Sequence, residues 1–195
     1  MDNKDIKDII RNIKAKENHM FSVLQKKEFV KMYIVDRCGI LKKIISEARS
    51  LSHKEHGALG IAGIGKECYV LLDGCMIEEV GGQEEEENIR IPASVSYALL
   101  QSCVEREKIP IIIHTHGISY NGNQKLKVSF SNKDMSFIDK FTECAKKIGN
   151  ISECIFIVTD GTMLVCCYRD MSTEEYKFFE GEAENKYGEQ IFCCI

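Results

Sequence analysis

Two histidines separated by one threonine, His114 and His116, stand at the end of the most hydrophobic stretch of the chain, "IPIIIHT". Successive side chains of a strand point to opposite faces, so these two imidazoles project to the same side. Rings placed in this way can share one metal ion, although a strand end that merely carries two histidines would read the same. Downstream, "SNKD" from Ser131 to Asp134 fits a helix capping box, with serine at the N-cap and an acid in the first turn. Such a helix start would hold the Asp134 carboxylate in place and make it available as a third ligand. Two histidines, one carboxylate and an open fourth position form the composition of a hydrolytic zinc site rather than a structural one. That chemistry needs a general base. The segment "SLSHKEHGALGIAG" offers Glu55, between a helical stretch and a strand of small residues, with Glu47 and Glu67 as rivals.

These residues require a particular set of elements. Periodicity predicts a strand over 29–35, a helix over 39–51, and two strands in "GALGIAGI" and "ECYVLLDGCMI". A polar insert leads to a helix opening at Pro92, a favoured first helical position. A buried strand over 109–115 and a helix over 132–148 follow. "ECIFIVT" and "TMLVCCY" form a hairpin around Asp160-Gly161, a strong turn signal. Residues 172–187 read as a closing helix. Helices alternate with strands while the hairpins make the sheet mixed, so the expectation is a single α/β domain of mixed, α+β-like character over 29–195. Residues 1–28 carry a helical apolar stripe and form an N-terminal extension.

A helix followed by "EHGALGIAG", then "HTH", then "SNKD", in this order, resembles the JAB/MPN (JAMM) zinc metalloprotease family in its prokaryotic form. The likeness runs over roughly residues 29–170. It implies a curved mixed sheet flanked by helices. It also implies one zinc ion (Zn2+) held by His114, His116 and Asp134, with water as the fourth ligand. Glu55 would be the catalytic base that takes a proton from that water and returns one to the departing amine. Ser131 would donate a hydrogen bond to the tetrahedral oxyanion. The reaction implied is hydrolysis of a peptide or isopeptide bond, with a ubiquitin-like or sulfur-carrier protein as the substrate partner. A non-catalytic MPN scaffold that binds other proteins is the alternative; such relatives typically lose the ligands, whereas this chain keeps all five signature residues.

The chain also departs from the family pattern. Gly117 stands where the family has proline, and 17 residues separate His116 from Asp134, a longer gap than usual. The segment 117–133 holds no histidine or cysteine, so a second, structural zinc is not expected. Ala58 occupies the small-residue position after the glutamate. His53 and His56 flank Glu55 and read as surface or supporting groups, and His19 as solvated.

Composition narrows the functional class. The 195 residues are 44% hydrophobic and 29% charged, as in an ordinary globular protein. A net charge of −4 argues against nucleic acid as the main partner. No apolar run approaches the roughly 18–20 residues that span a bilayer, and the charged start "MDNKDIKDII" lacks the apolar core of a signal peptide. The expectation is a cytoplasmic protein acting on neither membrane nor nucleic acid. Ten cysteines without a CxxC pair read as reduced, small buried hydrophobes. The run from Glu84 to Glu87 reads as a solvated loop kept open by like-charge repulsion, with attraction of a basic tail as the sharper alternative. The stripe within 1–28 would pack on the domain or build a homodimer.

Overall fold

A computed structural model describes residues 31–50, 54–64, 68–85, 88–117, 120–121, 124–125, 127–183 and 189–194, all within one unit, Lys31–Ile195. The N-terminal extension, and the homodimer contact expected of it, lie outside the described residues.

Strand β1 (Lys31–Asp36) leads through helix α1 (Ile40–Arg49) to β2 (Gly57–Ile64) and β3 (Cys68–Met76). A single 3-10 turn and a short hairpin, β4 (Gln83–Glu85) with β5 (Asn88–Arg90), precede α2 (Ala93–Arg106) and β6 (Ile109–Thr115). A second small hairpin, β7 (Tyr120–Asn121) with β8 (Gln124–Lys125), stands before α3 (Asn132–Ile148). The last four strands are β9 (Glu153–Thr159), β10 (Met163–Asp170), β11 (Tyr176–Glu182) and β12 (Glu189–Cys194). Eight strands form one curved sheet in the order β1-β12-β11-β10-β9-β6-β2-β3, and β1 closes it by pairing with β3. The sheet is mixed: β6 runs parallel to β9 and antiparallel to β2. The fold is therefore mixed α/β, with the curved sheet flanked by three helices.

Alternation along β6 explains how the sheet separates two cores. Ile109, Ile111 and Ile113 join one cluster with Ile40, Leu41, Ile44 and Ile45 of α1. Ile112 joins the other, with Leu99, Leu100 and Cys103 of α2 and Ile138, Phe141 and Ala145 of α3. A strand covered on both faces must be apolar almost throughout, and β6 is buried at Ile109 to Ile113 without a break. His114 continues the Ile112 face. The two histidines are thereby turned toward the side of the sheet on which α3 lies.

The chain end corrects the expectation from sequence. Of the helix expected over 172–187, the described residues 172–183 are not helical; β11 runs antiparallel to β10, with Arg169 opposite Tyr176 and Met163 opposite Glu182. Glu and Lys in "EEYKFFEGE" favour a helix locally, but an open strand edge on β10 outweighs that weak preference. Tyr176 and Phe178 pack into the α2/α3 core while Phe179 faces the α1 core, which is the period of a strand. The helix expected to open at Pro92 starts one residue later, Pro92 being its extended N-cap at ψ 141°. The Asp160-Gly161 turn forms as expected, with Gly161 at φ 82°.

Candidate metal centre

The centre is built outward from the end of β6. His114 pairs with Gly57 of β2 on one side and Val158 of β9 on the other. His116 lies just beyond the strand, and its backbone N–H donates to the Thr159 carbonyl at 2.8 Å. Both imidazoles are thus anchored by the sheet. Their Nε2 atoms lie 3.1 Å apart.

Asp134 comes from the third position of α3, where the capping box is complete. Ser131 Oγ accepts from the Asp134 N–H at 3.2 Å, and Asp134 Oδ2 accepts from the Ser131 N–H at 2.6 Å. From this fixed position Oδ1 lies 3.1 Å from His114 Nε2 and Oδ2 lies 3.2 Å from His116 Nε2. One nitrogen from each ring and the carboxylate make a triangle with edges near those of a tetrahedral face. An ion with bonds of about 2.0–2.1 Å sets its ligand atoms roughly 3.3–3.4 Å apart. Among the described residues, these three form the one group of histidine, cysteine and carboxylate atoms gathered closely enough for a metal ion. The residues fit a divalent ion, and all three line one cavity.

The electrostatics suit such a ligand set. Burial alone would raise the Asp134 carboxyl, but hydrogen bonds from His114, His116 and Ser131 hold it far below the usual carboxylate range. Burial works against the charged His116 ring, yet the hydrogen bond to Asp134 and the charges of Asp134 and Glu55 outweigh it and raise its pKa. The backbone of Ser129 also hydrogen-bonds His116. With Nε2 turned to Asp134, Nδ1 is the nitrogen left for Ser129, and that contact fixes which nitrogen faces a metal.

Glu55 reaches the same place by register. Gly57 stands opposite His114 in the β2–β6 ladder. Continuing the pairing past the strand ends sets His56 against Thr115, and two hydrogen bonds of 2.8 Å join them: Thr115 N–H to the His56 carbonyl, and His56 N–H to Thr115 Oγ1. Glu55 stands two residues before Gly57, beyond the end of the ladder, where the same alternation of faces gives it the side of His114. Opposite residues of an antiparallel ladder share a face, so Glu55 turns toward the ligands and lines their cavity. Burial raises its pKa, and the His116 and His114 charges partly offset that rise. Of its rivals, Glu47 lies on α1, away from this ladder, and Glu67 lies outside the described residues, as does His53.

The acidic insert does what sequence reasoning missed. Glu84 on β4 is only 8% exposed and is not part of a solvated loop. Its Oε1 accepts from the Gly57 N–H at 2.8 Å and its Oε2 lies 2.9 Å from His56 Nδ1. The Glu85 carbonyl accepts from the Glu55 N–H at 2.9 Å. The β4–β5 hairpin therefore clamps residues 55–57 from the side opposite β6. Gly57 is required there, because a Cβ would meet Ile77 Cδ1 at 2.2 Å. No residue pattern marks Glu84 out from its acidic neighbours; only the fold does so. Glu86 and Glu87 lie outside the described residues.

His114, His116, Asp134, Glu55 and Ser131 all line one cavity of about 790 Å³. The arrangement can hold a divalent ion beside the half-buried carboxylate of Glu55. No helix among the described residues is long and apolar enough to cross a membrane. No protein-family model and no curated protein matches the chain.

Proposed function

We propose that the protein is a zinc-dependent hydrolase of amide bonds, of the JAB/MPN metalloprotease kind. The observation that carries this reading is the close group of His114, His116 and Asp134 with Glu55 lining the same cavity. His114, His116 and Asp134 would hold a divalent ion, which when bound would supply Lewis-acid polarisation of a carbonyl and a water of lowered pKa. The protein's own residues do the rest. His114 and His116 present Nε2 from a rigid strand end, and the capping box holds Asp134 ready without reorganisation. Glu55, kept basic by burial, takes a proton from the attacking water and delivers one to the leaving amine. Ser131 uses a lone pair of Oγ to accept the Asp134 N–H, which leaves its O–H proton to donate to the oxygen of the carbonyl under attack.

The mixed α/β architecture and the order Glu55, His114, His116, Ser131, Asp134 along the chain agree with this reading. Its substrate would be the C-terminal segment of a ubiquitin-like or sulfur-carrier protein. The test is metal content and hydrolysis of ubiquitin-like fusion substrates by the wild type and by Glu55→Gln. One zinc per chain in both proteins, with hydrolysis only in the wild type, is the expected result. A wild type that takes up no zinc would favour a protein-binding scaffold instead.

A further inference from the structure

The cavity that holds the candidate ligands is lined by apolar side chains as well as polar ones. Its floor continues the face of β6 on which His114 stands: Ile112 lies two residues before it and pairs in register with Phe156 of β9. Ile138 of α3 completes that floor, and all three are buried. The walls differ. Ile89 of β5, Ile91 just after it, and Phe137 of α3, one turn beyond Asp134, are only half-buried and face the same space. The Phe137 and Phe156 rings meet edge to face, 6.4 Å apart at 88°. Apolar side chains thus line part of the cavity beside the ligand group.

A bound segment with small side chains alone would leave the apolar part of this space unfilled. Its lining would then forgo both dispersion contacts and the gain from leaving water. At about 790 Å³ the cavity is within the size range of pockets that enclose a whole small ligand or a large side chain with its flanking backbone. We infer that the site takes peptide substrates carrying a large apolar or aromatic side chain beside the scissile amide, seated between Ile89, Ile91 and Phe137. This inference rests on the metal-centre reading and adds a specificity pocket to it.

Hydroxamates test it, because they ligate zinc through one end and present a chosen group at the other. Binding of acetohydroxamate and of 3-phenylpropionohydroxamate to the zinc-loaded full chain is measured by titration calorimetry. The phenyl compound should bind roughly 10- to 100-fold more tightly, as expected for burying one phenyl group. Ile89→Ser and Ile91→Ser, each checked for zinc content and folding, should shrink that ratio several-fold. Equal affinities of the two compounds for zinc-loaded wild type would overturn the pocket and leave the metal centre standing. A preference that survives in both variants would place the phenyl group elsewhere and overturn it too. Failure of the wild type to take up zinc would instead overturn the metal centre and this inference with it.

Discussion

Glu84 grips the segment that carries Glu55 through two atoms at once: Oε1 accepts the Gly57 N–H at 2.8 Å and Oε2 lies 2.9 Å from His56 Nδ1. A carboxylate on a separate hairpin thus sets where the proposed base stands. Removing it leaves a buried N–H and a ring nitrogen without a partner, which costs about 1–3 kcal/mol. Glu84→Ala should lower stability by that amount in urea unfolding and reduce hydrolysis, while zinc content stays at one per chain. Glu84→Gln, which keeps an acceptor for Gly57, should lose less of both. Equal stability of Glu84→Ala and wild type would show that the clamp carries no energy.

Asp134 serves as helix cap and as proposed ligand, and the two roles separate by substitution. Asp134→Asn keeps an oxygen for the Ser131 N–H but loses the charge, so α3 should persist while zinc affinity falls. Ser131→Ala should behave in the opposite way. It removes the N-cap acceptor, at about 1 kcal/mol, and the proposed oxyanion donor, at roughly 100-fold in rate, yet leaves zinc bound. Metal analysis beside thermal unfolding distinguishes the two; loss of zinc in Ser131→Ala would contradict the assignment.

The metal-free protein has a pH signature whose sign follows from the shifts. His116 is raised above its ordinary 6.5, so its contribution is complete below that value and is lost as pH rises through the raised pKa. Asp134 is lowered from 3.8, so its contribution is present above that value and is lost as pH falls through the lowered pKa. Chelator-treated protein should therefore be most stable between about pH 4 and 6.5, and Asp134→Asn should flatten that maximum. Zinc requires the unprotonated rings, so its affinity should climb with pH across the same range. A chelator-treated wild type that gains stability from pH 6 to 8 would contradict the pairing.

Thiol reactivity should divide by burial. Burial pushes Cys103 and Cys167 up to about 12 and raises Cys154 and Cys166 as well, so these carry almost no thiolate at neutral pH. Cys144 on α3 is exposed. In native protein a maleimide should label Cys144 within minutes and leave those four intact until denaturant is added, as read by peptide mass spectrometry. Rapid native labelling of Cys166 would mean that the α1 core is open.

Local patterns were enough for the elements around the centre. The apolar run of β6, the capping box of α3 and the Asp160-Gly161 turn are each written in a few adjacent residues, because hydrogen bonds and burial at those points are nearly independent of the rest of the chain. The pairing of His114 with His116 also follows from strand alternation alone. Tertiary structure decided what distant segments do to one another. Glu55 lines the ligand cavity because β2 pairs with β6 in one register, and a shift of one residue would turn its side chain to the other face. Glu84 became a buried clamp because a hairpin folds back on residues 55–57. Residues 176–182 became a strand because β10 offered an edge, against the helical leaning of their glutamates and lysines. Contacts across tens of residues depend on which surfaces meet, and no short stretch of sequence carries that information.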